Sequence, residues 1–170
     1  MASGSAGYLS GLHARPPSDS CSELALWIGL PESNSAGNAH GGVIMKLCDE
    51  VAGIAAIRHS GGRVVTAGMD RMTFQHPVLV GDLVTVRATV NAAWRSSMEV
   101  GVRVEKENVR TREVEHTSTA YLTMVALDDD GRPAPVPPVE PSTEEEERRA
   151  REAQVRRDNR LGERAQLASG

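Results

Sequence analysis

Asp49 sits in the middle of a stretch rich in apolar and small residues, VIMKLCDEVAGIAAIRH (43–59), directly after a polar loop, NSAGNAHGG (34–42). A carboxylate on a floor of small residues can take a proton from water or attack a carbonyl itself. The amides of Asn34 and Asn38 can orient a carbonyl or a water, and His40 is a second candidate base. Gly41 and Gly42 stand where the loop turns into the apolar stretch. If that stretch is a helix, free N–H groups at its start suit a developing oxyanion or a phosphate. Each residue also has a plainer reading: Asp49 on a solvent face, the asparagines as loop caps, His40 as a structural loop histidine. Periodicity alone leaves both readings open.

The stretch fits a helix from Gly42 to His59. Turned at about 100° per residue, Val43, Ile44, Leu47, Val51 and Ile54 share a broad apolar face. Asp49 projects to the other side, among Gly42, Met45, Lys46, Ala52, Gly53 and Ala56. Lys46, one turn before Asp49, is a candidate surface ion-pair partner. Before the helix, Leu24–Leu30 reads as a strand ended by Pro31. After it everything reads as β. Val64–Phe74 is rich in Val, Thr and Met and is broken at His76-Pro77, and Gly81-Asp82 makes a turn. Val84 to Trp94 and Glu99 to Glu105 alternate apolar and polar with a period of two, and His116–Leu127 closes the set. One strand, one long helix and four strands on short connections predict an α+β fold with an antiparallel sheet.

The 170 residues are expected to hold one domain over 23–132, since about 100–200 residues usually make one. Residues 1–22 read as a flexible Gly/Ser/Pro-rich leader without the basic start and apolar run of a secretory signal. Five of the nine prolines fall in 133–141, a stiff connector. Beyond it, 142–170 is a charged helical tail, with Ser142 or Thr143 as cap and Glu145 or Glu146 completing a capping box. With almost no apolar stripe, it is expected to be solvated. Aromatics make up only 3%, so the core must be built from Val, Leu, Ile, Met and Ala. A net charge of -4 gives no reason to expect nucleic acid or an anionic membrane. No apolar run approaches the roughly 18 residues of a membrane span. Cys21 and Cys48 form neither a disulfide framework nor a metal clamp, and a cytoplasmic setting is the default. Nucleophile-elbow, P-loop, dinucleotide and zincin motifs are all missing from the chain.

The run N-x-x-G-N-x-H-G-G-x-I-M-K-L-x-D-E-x-A-G-I-A-A-x-R-H resembles the signature of the hotdog-fold acyl-CoA hydrolases. It is most similar to the carboxy-terminal repeat of the cytosolic two-hotdog enzymes, and it also resembles single-hotdog bacterial thioesterases. The similarity continues through VVTAGMDRMTF, the Gly81-Asp82 turn, RSSMEV and ALDDDGRPAPVPP into the Glu/Arg-rich tail.

The resemblance implies an antiparallel sheet wrapped around one central helix and hydrolysis of an acyl-CoA thioester to a free acid and CoA. Asp49 matches the family's catalytic carboxylate, Asn34 the asparagine paired with it, and Gly41 and Gly42 the glycines beside the thioester carbonyl. Arg95, Ser96 and Ser97 match a hairpin segment that in the family lies near the CoA phosphates; read alone they are a polar turn. No metal or redox cofactor is implied, CoA entering only as part of the substrate. In the two-hotdog enzymes the Asn and Asp of one site come from different repeats. The resemblance therefore implies a homodimer, or a higher assembly such as a trimer of dimers, that places Asn34 of one chain beside Asp49 of another. Two other readings stay open: an acyl-chain hydratase or dehydratase, which needs a histidine at the site, and a non-catalytic acyl-CoA-binding module.

Overall fold

The computed structural model describes residues 12–168; the first half of the expected leader lies outside them. The elements follow in the order β1 (Ser22–Trp27), α1 (Gly41–Ser60), β2 (Arg63–Met69), β3 (Asp82–Ala93), β4 (Ser97–Asn108), β5 (Val114–Leu127) and α2 (Glu144–Ala168). All neighbouring strands are antiparallel, in the order β1-β3-β4-β5-β2, so β1 and β2 are the sheet's edges. The sheet curls around α1, which lies against all five strands.

Strand alternation decides which residues meet the helix. Val84, Val86, Ala88 and Val90 of β3, Met98, Val100, Val102 and Val104 of β4, and Ala120, Leu122, Met124 and Ala126 of β5 form the inner face, and all are buried. Each large aliphatic side chain taken out of water there contributes roughly 1.5–3 kcal/mol. The helix answers with Ile44, Leu47, Cys48, Val51, Ala52, Ala55, Ala56 and His59. Ala52 and Ala56 were expected on the far face beside Asp49. They are fully buried instead, because a wrapped sheet covers more of the helix than a flat one and small side chains let the strands come close. Gly61, at φ 75°, ends α1 by donating its N–H to the Ile57 carbonyl at 2.8 Å.

The second expected strand stops short. β2 ends at Met69, and 70–77 is a loop held to β5 by the Asp70 and Gln75 N–H groups. The described part of the leader is also ordered differently from expectation. Pro17–Ser20 form a 3-10 turn, the buried Ser20 hydroxyl accepts from the Val90 N–H at 2.9 Å, and Arg15 bonds the Arg58 and His59 carbonyls at the end of α1. Arg15 also bridges Val139, which fastens the proline connector to the core.

α2 lies on the outer face of the sheet. Thr143 and Glu146 form the capping box, with the Thr143 hydroxyl accepting from the Glu146 N–H and the Glu146 carboxylate accepting from the Thr143 N–H. The helix is not merely solvated, as its composition predicted. Arg156 stacks 3.6 Å over the Tyr121 ring and donates to the fully buried Glu99 carboxylate at 2.7 Å, while Arg160 bonds Asp70 at 2.6 Å. Guanidinium contacts, with the buried Ala153, hold this helix where an apolar stripe would normally do so.

Candidate active site

Asp49 is exposed on α1 and faces a cleft of about 560 Å³ between the helix and the β2 edge. Leu24, Ile54, Ile57, Val64 and Met124 make its walls apolar, and Gly53 keeps the floor open beside the carboxylate. The Thr66 hydroxyl, from β2, donates to the Asp49 carboxylate at 2.5 Å. That bond fixes the carboxylate's direction, and Asp49 lines the cleft. Lys46 is not its partner: it pairs with Glu50 at 2.8 Å, one turn along the outer side of the helix. Cys48, next in the chain, is buried, and burial pushes its thiol up to about 12, with the Asp49 charge adding to the effect. It is therefore an inert thiol at neutral pH.

The start of α1 divides the two glycines. His40 caps the helix, its Nδ1 accepting the Gly42 N–H at 3.1 Å. The Gly41 N–H has no partner among the described residues and is the free donor at this end. The Phe74 ring lies beside Gly41, where an added Cβ would stand 3.6 Å from it. Occupied as a cap, His40 is not poised as a base.

Asn34 is exposed on the loop before α1, and its side-chain oxygen accepts from the Ala36 and Asn38 N–H groups at 2.9 and 3.2 Å. That Asx turn leaves the amide N–H₂ without a partner among the described residues. Asn38 is held through its backbone, which receives the Asn34 N–H and bridges Leu79. Asn34 does not line the Asp49 cleft, so one protomer does not bring Asn34 and Asp49 together. Arg95, Ser96 and Ser97 form the β3–β4 turn on the other side of the sheet. Their backbones bond the connector and β5, and Ser97 accepts from Arg157 at 3.4 Å.

Thr66 is the member of the site that the sequence reading missed. A threonine in a β-strand is ordinary by composition, and only the pairing of β2 with β5 beneath α1 sets it opposite Asp49. Among the described residues no group of His, Cys, Asp and Glu is arranged to hold a metal ion, and no helix is long and apolar enough to cross a membrane.

The chain matches the thioesterase superfamily model over residues 36–113. A Bacillus subtilis protein named as an uncharacterized acyl-CoA thioester hydrolase is 44% identical over 115 residues, which is 68% of this chain and 67% of that one. Among solved structures, an apo-hexameric acyl-CoA thioesterase superposes with a TM-score of 0.87 at 38% identity, over 91% of this chain and 99% of that one. A Staphylococcus aureus acyl-CoA hydrolase bound to butyryl coenzyme A and coenzyme A superposes with a TM-score of 0.85 at 33% identity, over 92% and 95%. Structures of the staphylococcal enzyme also exist with an aspartate, an asparagine or a threonine replaced by alanine. Those three residues are spaced along its chain as Asp49, Asn34 and Thr66 are along this one.

Proposed function

The chain belongs to the thioesterase superfamily, and from that membership we propose that it hydrolyses acyl-CoA thioesters to a free carboxylic acid and CoA with Asp49 as the working carboxylate. The observation that carries the reading is the Asp49 carboxylate, aimed by Thr66 at the head of an apolar cleft. An acyl chain occupies the cleft, and the thioester carbon comes to rest beside Asp49. Water, its proton taken by Asp49, adds to that carbon, and the negative charge passes to the carbonyl oxygen. Collapse breaks the C–S bond, and the CoA thiolate leaves with the proton. Attack by Asp49 itself, through a mixed anhydride that water then opens, gives the same products. The Gly41 N–H of the same chain lies eight residues from Asp49, about 12 Å along α1, so the N–H that holds the oxyanion beside Asp49 comes from the α1 start of a second copy.

The site is completed by a second copy. Asn34 does not line the Asp49 cleft of its own protomer, and its amide N–H₂ has no partner among the described residues. The β2 edge is unpaired, and Val65, Met45, Ile57 and Phe74 expose apolar surface around it. An open apolar edge of this kind is a template for strand pairing. A homodimer formed there sets Asn34 of one chain against Asp49 of the other, where it orients the water or the thioester, and further association to a trimer of dimers matches the hexamer seen in a structural relative. A cytoplasmic role in lipid metabolism accords with this chemistry.

The hydratase reading loses its base, because His40 is spent on the helix cap. The test is release of free thiol from a panel of acyl-CoAs of short to long chain. Turnover of at least one chain length is expected; binding of acyl-CoA without thiol release from any of them returns the protein to a non-catalytic acyl-CoA module.

A further inference from the structure

Gly53 stands one turn after Asp49 on α1, half-buried in the lining of the same cleft. A glycine inside a helix is destabilising relative to alanine. The ordinary structural reasons for keeping one are absent here. The backbone of Gly53 is helical, outside the left-handed region, and a Cβ added to it would meet nothing within 4 Å. Gly101 of β4 shows the contrast, since its added Cβ would stand 2.6 Å from the Asn91 side-chain nitrogen. Gly162 of α2 is as open as Gly53, but it lies exposed near the end of its helix. Ala52, Ala55 and Ala56 are buried against the sheet, so α1 uses alanine where space is short. At Gly53 it leaves a space that no described residue fills.

That space has a direction. On α1 the cleft is lined from Asp49 through Gly53 to Ile57, and by no earlier residue of the helix. These three are four residues apart and share one face. Leu24 of β1 and Val64 of β2, on the two edge strands of the sheet, flank them. The Asn34 and the α1 start of a second copy belong at the Asp49 end, so the cleft leads away from them inside one protomer. Four residues advance a helix by about 6 Å and eight by about 12 Å. An extended butyryl group with its carbonyl beside Asp49 ends short of Gly53, whereas an octanoyl group passes it and continues toward Ile57. We propose that Gly53 sets the acyl-chain length: its missing side chain is the gap through which a medium or long acyl chain passes. The inference rests on the acyl-CoA hydrolase reading above and adds to it a substrate class and the residue that selects it.

Two variants of the full-length protein test the gap. In Gly53→Leu, kcat/KM for octanoyl-CoA is expected to fall at least tenfold while butyryl-CoA is hydrolysed as before. Gly53→Ala is expected to shift the same preference at least threefold and to raise the urea midpoint, because it removes a helix penalty without a clash. It carries the test alone if the leucine variant does not fold. The thioethers S-butyl-CoA and S-octyl-CoA, which cannot be hydrolysed, give a readout without turnover. By isothermal titration the octyl compound is expected to bind wild type at least tenfold tighter, since it buries more apolar surface, and to lose that advantage in Gly53→Leu. An equal loss on both substrates, an unchanged chain-length preference, or an octyl compound that binds wild type no tighter than the butyl one overturns the proposal. So does a Gly53→Ala protein with a lower urea midpoint or a smaller assembly, which would make Gly53 a packing position against a second copy. An octyl advantage that Gly53→Leu abolishes, in a protein that releases no thiol from either acyl-CoA, upholds the gap and sinks the hydrolase reading instead.

Discussion

Thr66 donates its hydroxyl to the Asp49 carboxylate across 2.5 Å, joining the edge strand β2 to the middle of α1 at the point where the apolar cleft opens. A carboxylate on an exposed helix surface ordinarily samples several rotamers. Here a strand residue selects one of them, and the geometry needed for proton transfer exists before substrate arrives.

Thr66→Val removes that donor at nearly constant volume. Hydrogen bonds to charged groups are worth about 1.5–3 kcal/mol, so kcat is expected to fall roughly 10–100-fold with KM for acyl-CoA little changed. Thr66→Ser, which keeps the hydroxyl, is expected to recover most of the rate. A rise in KM alone, or a serine variant as slow as the valine one, would give Thr66 a packing role and no part in aiming Asp49.

The tail is anchored by a buried charge. Glu99 is fully buried and is matched by Arg156 and Arg160. Removing one partner from a buried pair typically costs about 3–5 kcal/mol, because the other charge is left uncompensated. With Arg160 still 3.4 Å from Glu99, Arg156→Ala is expected to cost only part of that and to lower the urea midpoint, and truncation before Ser142, which removes both arginines, to lower it further. Replacing Glu99 by Gln in the Arg156→Ala background is expected to restore part of the loss. A truncated chain as stable as the full one would show that α2 contributes nothing to holding the sheet.

The expected solvated tail and its observed docking differ for a physical reason. Apolar periodicity registers burial by hydrocarbon, and α2 is held by guanidinium stacking and ion pairing, which in sequence look like any charged helix. The strands were legible because Val84–Val90 and Val100–Val104 bury one face and expose the other. The helix itself was legible too, yet Ala52 and Ala56 were placed on the wrong side of it. Alanine suits either face, and only the curl of the sheet decides. Asp49 stood out as a carboxylate on a helix face of mostly small residues. Thr66 could not, since its meaning depends on a strand pairing that the local sequence does not encode.

His59 couples stability to pH. Burial holds its imidazole below the ordinary histidine value, with the Pro137 carbonyl bond at 2.9 Å opposing that only in part. The unfolded chain therefore takes up a proton near pH 6.5 that the folded chain refuses. Stability is fully present above that pH and declines as pH falls below it. Urea midpoints at pH 7.5 and 5.5 are expected to show this decline, and His59→Gln to flatten it. An equal decline in the variant would assign the effect to other groups.

Sharing of the site between copies has its own signature. Asn34→Ala and Asp49→Ala are each expected to be inactive as pure assemblies. Mixed subunits are expected to regain activity, because a heterodimer collects both defects in one site and leaves the other intact. No recovery after confirmed subunit exchange would mean that Asn34 serves the Asp49 of its own chain, or none.

The catalytic assignment of Asp49 is tested most directly by single-turnover hydrolysis of an acyl-CoA by Asp49→Asn, with CoA binding measured in parallel. The substitution keeps size and shape and removes only charge and basicity. A surface aspartate so changed alters stability by no more than about 0.5 kcal/mol and leaves the rate alone. A working general base costs roughly 10²–10⁴ in rate when it is lost. The account predicts a fall of that size with the fold and CoA binding nearly intact; hydrolysis within a few-fold of wild type would contradict it.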